Sequence, residues 1–177
     1  MEHYDVIVIG AGHAGIEAAN ISEKHGLKTA LVTKNYSDLG KLSCNPSIGG
    51  VGKTHIASEV DILGGIICKI GDKSAIHYRV LNLSKGPAVW GVRAQIDREL
   101  YAKNMQKFIK SSKIELIEDE AINILQKNNK IIGVDCIKAG KIKSKVIILT
   151  TGTFLNGKIY FGNEVKEAGR IGNSSSK

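Results

Sequence analysis

The sequence has 177 residues, 42% of them hydrophobic and 24% charged, and its 25 Lys and Arg outnumber 17 Asp and Glu to give a formal net charge of +8. That length suits a single packed domain, because domains commonly run about 100–200 residues, and the basic excess is compatible with a polyanionic partner such as RNA. Three cysteines without paired spacing exclude a disulfide framework and a Cys-rich zinc site, and no apolar run is long enough to span a bilayer, so a soluble cytoplasmic chain that holds no metal is expected.

Taken in chain order, residues 4–9, YDVIVI, form a short β-branched run of the kind buried on both faces of a parallel sheet. The following GAGHAGIEAANISEKHG reads as a turn and a helix, with Ala14, Ala18 and Ile21 on one face and Gly26 as its stop. Residues 27–33, LKTALVT, supply a second strand and complete a βαβ unit. From Lys34 to Lys53 no period is visible, so a long loop is predicted. A helix is expected over 53–63 with Ile56, Val60 and Leu63 inward, then a strand over 78–83, and then a long helix over 92–111 with Ile96, Leu100 and Phe108 toward the core. Trp90 reads as a core residue. Beyond these comes KIELI, then segments that the Asn-Asn and Ala-Gly turns separate into the strands of a β-meander, and residues 145–150 read as a strand that rejoins the parallel sheet. The tail GNSSSK is polar and of a composition that favours disorder.

The chemistry is concentrated in Gly10-Ala11-Gly12-His13-Ala14-Gly15, a GxGxxG between the first strand and the first helix. In that context Gly10 permits the tight turn, Gly12 leaves room for a pyrophosphate, and Gly15 lets helix and strand approach closely. The helix N-terminus presents free amides and the positive end of its dipole to the phosphates. The acid that usually holds an adenosine ribose after the second strand is missing, since Thr33, Lys34 and Asn35 stand there and the nearest acid is Asp38. That argues against a plain NAD site, and the meander followed by VIILTTG favours FAD, with Gly152 as the residue of close approach. GGVGKT, residues 49–54, matches the short form of a phosphate-binding loop used by some partition ATPases. No buried strand is expected in front of it, so an ATPase is the lesser reading. His55 and His77 have no partners at metal-ligand spacing, while Lys85, Arg93 and Arg98 are candidates to face phosphates.

GAGHAGIEAA, LGKLSCNPSIGGVGK, EVDILGG, LNLSKGPAVWGVRAQIDRELY and LTTGTFLNGKI, in this order, resemble the MnmG/GidA family of flavoproteins from end to end of the chain. The resemblance implies a Rossmann-like α/β domain of the two-dinucleotide FAD-binding type, with a parallel sheet and a β-meander. It implies that residues 1–177 are the N-terminal FAD-binding part of a longer, here truncated, architecture. The implied activity is addition of a carboxymethylaminomethyl or aminomethyl group at C5 of wobble uridine 34 in tRNA. FAD carries the redox step, NADH reduces it through a region outside this chain, and methylenetetrahydrofolate supplies the one-carbon unit. The GTPase MnmE is the implied partner, and a homodimer the implied state of the full-length family. By position, the resemblance assigns FAD contacts to Gly10–Gly15, Ile122 and Ser176, and a reactive role beside the flavin to Cys44. The alternatives are a folate- and FAD-dependent tRNA methyltransferase, whose pattern lacks SCNPSIGG, and an inactive FAD-binding remnant.

Overall fold

The computed structural model describes residues 3–42, 45–153 and 155–169. Cys44, Ser176 and the polar tail lie outside the described residues. The opening βαβ unit forms as the pattern predicts: β1 (His3–Ile9), α1 (His13–Lys24) and β2 (Thr29–Thr33), with β1 and β2 parallel. Gly26, at φ +77°, ends the helix. β6 (Glu115–Glu118) extends the parallel sheet beside β2. The meander is β7 (Ala121–Lys127), β8 (Lys130–Cys136) and β9 (Gly140–Leu149), turned through Asn128 and Asn129, both at positive φ, and through Gly140. β9 serves two sheets' worth of pairing in one strand. Its first half is antiparallel to β8 and its second half runs parallel to β1, which gives the order β6-β2-β1-β9-β8-β7.

This arrangement buries both faces of β1. On one face Val6 and Val8 pack with Ile16 and Ala19 of α1 and with Tyr101, Met105 and Ile109 of α4 (Arg98–Ser111). On the other, Tyr4, Ile7, Ala30 and Val32 pack with Val134, Cys136 and Ile142 of the meander. The parallel strands are therefore a middle layer between helices and meander.

A second sheet departs from the sequence-based expectation. Residues 34–53 are not one loop, because β3 (Ser47–Gly49) forms within them and pairs antiparallel with β5 (Gly91–Ile96), which pairs in turn with β4 (Ala75–Leu81). The helix expected over 92–111 is thus two elements. Val92, Ala94 and Ile96 alternate as a strand, and Asp97 then starts α4 by accepting the amides of Glu99 and Leu100, both at 3.0 Å. Leu100 is exposed, and the buried face of α4 is Tyr101, Met105 and Ile109.

Two helix faces also differ from expectation. In α1 the buried residues are Gly15, Ile16, Ala19, Asn20 and Ser22, whereas Ala14 and Ile21 are exposed. The helix is rotated so that its smallest residue, Gly15, meets Gly10 just beyond β1, and a larger side chain there would hold helix and loop apart. In α2 (Lys53–Ile62) no residue is fully buried, and Ile56 and Leu63 point outward. Trp90 is 43% exposed rather than a core residue. α3 (Ile67–Asp72) follows, and its first amides, Ile66 and Ile67, are capped from α1 by Glu17 Oε1 at 2.8 and 2.7 Å. A final hairpin, β10 (Lys158–Phe161) and β11 (Glu164–Glu167), forms a two-stranded sheet of its own among the described residues.

Candidate functional site

The glycine loop sits at the carboxyl ends of β1 and β9. Gly10, at φ +104°, donates to Val32 O at 2.8 Å, and Thr150 closes over the turn by donating Oγ1 toward Ile9 O and Gly10 O, each at 2.9 Å. A Cβ on Gly15 would lie 1.8 Å from Gly10 O, and one on Gly10 would lie 2.3 Å from Thr150 O. Strand, loop, helix and the end of β9 are therefore locked together through positions that tolerate no side chain. Gly12 is the opposite case: among the described residues nothing lies within 4 Å of where its Cβ would be. It caps α1 from an extended conformation, no side chain caps the helix, and its first turn carries no acid. The first-turn amides of α1 and the positive end of its dipole thus open onto free space over Gly12, which fits an extended phosphate group.

The chain beyond β9 opens on the same side. Gly152 is exposed, at φ +70° and with no atom of the described residues within 4 Å of a would-be Cβ, two residues past the Thr150 clasp. At the carboxyl end of β2, where the usual acid is missing, carboxylates come from the end of the adjacent strand β6 and the turn after it. Glu118 accepts from Tyr36 N at 2.8 Å, and Glu120 pairs with Lys34 at 2.7 Å. Asp119 accepts from the amides of Glu120, Lys138 and Ala139 at 2.7–2.9 Å. Burial pushes its carboxyl up, but the three backbone donors outweigh that and hold it below its ordinary value. The turn thus pinned delivers Ile122, 59% exposed, to the first residues of β7. Gly10–Gly15, Ile122 and Gly152 are all placed at element ends and turns, and the loop and the Thr150 turn are in direct contact.

His13 enters the first turn of α1 and turns inward. Its ring lies 5.6 Å from that of Tyr101, and neither His13 Nε2 nor the Tyr101 hydroxyl has a hydrogen-bond partner among the described residues. Burial and the nearby Lys53 ammonium hold His13 down at about 4, so it is neutral at pH 7. Burial chiefly, with Glu17 and Cys68 adding to it, raises the Tyr101 phenol far above its ordinary range. Both groups are present in neutral form, able to exchange hydrogen bonds but not to carry charge. Sequence reasoning missed Thr150 and Tyr101; both reach the loop from more than eighty residues away, and nothing local to either marks it.

The GGVGKT stretch does follow a short strand, contrary to expectation, but that strand is antiparallel and its lysine and threonine are engaged. Lys53 Nζ bonds Ser47 O at 3.3 Å, while Thr54 Oγ1 accepts from Gly50 N at 2.8 Å and donates to Val92 O at 2.6 Å. Thr54 closes the edge of β5 where β3 stops, leaving its hydroxyl tied to the sheet rather than offered to a metal ion. Cys68 and Cys136 are free thiols. Burial raises both, Cys136 to about 11, so neither is a nucleophile at neutral pH. Among the described residues no helix is long and apolar enough to cross a membrane.

The fold is Rossmann-like, shared with pqsL of Pseudomonas aeruginosa, described as a probable FAD-dependent monooxygenase, at a TM-score of 0.57 and 13% identity over 82% of this chain and 42% of that one. The family profile described as Glucose inhibited division protein A matches residues 5–177. The chain is 49% identical over 170 residues to the tRNA uridine 5-carboxymethylaminomethyl modification enzyme MnmG of Buchnera aphidicola, covering 96% of this chain and 27% of that protein. It is 45% identical over 183 residues to the mitochondrial 5-taurinomethyluridine-tRNA synthase subunit MTO1 of Macaca fascicularis, covering 98% of this chain and 26% of that one. Among solved structures, GidA from Aquifex aeolicus superposes with a TM-score of 0.94 at 41% identity, covering 99% of this chain and 29% of that one. The chain thus spans between a quarter and a third of the length of these relatives.

Proposed function

This chain belongs to the Glucose inhibited division protein A family, and from that membership we propose that it is the FAD-binding part of an enzyme that modifies C5 of the wobble uridine of tRNA. The observation that carries the reading is the open cradle over Gly12, made by the uncapped N-terminus of α1 and closed behind by Gly10, Gly15 and Thr150. A dinucleotide pyrophosphate fits it. Ile122 then lies toward the adenine end and Gly152 toward the ribityl end, and Ala11, His13 and Ala14 complete the loop. Cys44 is assigned the reactive thiol beside the flavin ring and Ser176 a further FAD contact. When bound, FAD supplies the hydride and electron chemistry that no side chain here can provide. The protein's own contribution is to hold the phosphates on backbone amides, to keep His13 and Tyr101 neutral beneath the loop, and to fix the angle between loop and sheet.

The names of these relatives supply the rest of the proposal. MnmG is named as a tRNA uridine-modifying enzyme and MTO1 as a synthase subunit, which favours tRNA as substrate and a second protein as partner. The partner proposed is an MnmE-type GTPase, the reductant NADH, the one-carbon donor methylenetetrahydrofolate, the assembly a homodimer of the longer protein, and the compartment the cytoplasm. Residues 1–177 are proposed as one FAD-binding domain within that longer architecture. The engaged Lys53 and Thr54 disfavour an ATPase reading.

FAD titration followed by flavin fluorescence tests the proposal. Gly12→Ala, whose methyl meets no atom of the described residues, is expected to leave the thermal midpoint unchanged and to weaken FAD binding at least about tenfold. Gly15→Ala, whose methyl would collide with Gly10 O, is expected to lose both FAD and about 2–3 kcal/mol of stability. A folded protein that leaves the fluorescence of added FAD unaltered would sink the reading.

A further inference from the structure

The three-stranded sheet β3–β5–β4 sets two arginines directly against each other. Arg79 of β4 pairs in register with Arg93 of the central strand β5, and on the other side of Arg93 stands Gly49, which has no side chain. Residues directly opposite on antiparallel strands share a face, with Cβ atoms about 4.5–5.5 Å apart, and like charges so placed are destabilising. The next pairs along that face are His77 with Gln95 and Ser47 with Gln95. No carboxylate occurs among these positions, and neither guanidinium has an ion-pair or hydrogen-bond partner among the described residues. The opposite face of the same sheet is the one committed to the core, through Ile48, Ala94 and Ile96.

We propose that Arg79 and Arg93 form a docking point for the sugar–phosphate backbone of RNA on this face, an inference that rests on the tRNA-modifying function proposed above. Two facing guanidiniums present planar donor forks suited to phosphate oxygens, and an anion between them removes the repulsion that the unliganded pair carries. The site opens on the β4 side of that face, with Arg79 exposed and Arg93 half-buried, while the β3 side is closed, Ser47 being buried and Thr54 lying against Gly49. Small anionic ligands are usually held in concave pockets, whereas a polymer backbone can lie across an open surface, which favours the polymer. The net charge of +8 supplies the wider field in which such a contact works. Only the register brings the two arginines together; they are fourteen positions apart in the chain.

The test is fluorescence anisotropy of labelled tRNA across a salt series, with circular dichroism and FAD titration run on every variant. The double substitution Arg79→Gln/Arg93→Gln is expected to weaken tRNA binding about tenfold or more. It should also flatten the slope of log affinity against log salt by about 1.4, the value for two phosphate contacts on a single strand. Arg79→Lys/Arg93→Lys should keep the slope and lose part of the affinity, because the charge remains and the fork does not. Lys103→Gln/Lys107→Gln on α4 removes the same net charge elsewhere and should move the slope less. An unchanged slope in the Gln pair, a loss of thermal midpoint without a change in slope, or an equal effect of the α4 control each overturns the inference. So does competition by a mononucleotide as effective as tRNA at equal phosphate concentration. A lack of tRNA binding by the unaltered protein overturns this inference and the tRNA reading together; a slope unmoved in the Gln pair while the unaltered protein binds tRNA overturns this inference alone.

Discussion

Beneath the glycine loop, His13 is held neutral against the ring of Tyr101. The position is one residue past Gly12, so the imidazole is drawn under the loop while the backbone above it stays open. Its proton equilibrium makes a stability prediction. His13 has a folded value near 4 against an ordinary 6.5, so the unfolded chain binds a proton that the folded chain refuses. Stability therefore falls as pH drops from about 6.5 to about 4 and loses no more to this group below that, with a span of about 3 kcal/mol. Urea unfolding at pH 7.5 and 4.5 measures it, and His13→Gln should flatten that part of the profile. A profile equally steep in the variant would assign the loss to other groups.

Among the elements, the junction at Asp97 decides most about the second half of the fold. Read as one apolar pattern, residues 92–111 continue through it; in the structure a strand ends and a helix begins there. The Asp97 carboxylate accepts two first-turn amides, while its own backbone amide is held by Ser74 O at 2.9 Å. The cap both starts α4 and ties it to the segment before β4. Asp97→Ala should cost about 1 kcal/mol, within the usual range for a lost N-cap, seen as a lower urea midpoint with the same slope. Asp97→Asn, which retains an acceptor oxygen, should restore most of it.

For the molecule as a whole, the two sheets share one core. The cluster that holds Val6, Val8 and Ile16 beside the parallel strands also holds Ile48, Ala94 and Ile96 of the second sheet. The meander closes the other face of β1 and β2 through Val134, Cys136 and Ile142. Neither sheet can lose its packing without exposing the other, so unfolding should be cooperative. Trp90 fluorescence, which reports on the start of β5, and far-ultraviolet circular dichroism are expected to give coincident transitions. Val134→Ala, deleting buried side-chain volume from the meander layer, should lower both midpoints together. A separate early Trp90 transition would show the second sheet to be an independent unit.

By itself the sequence determined the strand–glycine loop–helix–strand opening, the meander with its Asn-Asn and Ala-Gly turns, and the return of the last long strand to the parallel sheet. Each is encoded locally: a β-branched run, glycines at fixed spacing, and turn residues that accept positive φ. The family resemblance was legible for the same reason, since it rests on ordered motifs. Tertiary structure alone decided which face of α1 is buried, because Gly15 must meet a backbone carbonyl from its own loop. It also decided that residues 47–49 and 91–96 are strands, since a three-residue strand such as β3 exists only through its partner. Thr150 over the glycine turn, Tyr101 beside His13, and Arg79 opposite Arg93 are likewise contacts across the chain. Their register is set by the packing of whole elements, and no local period records it.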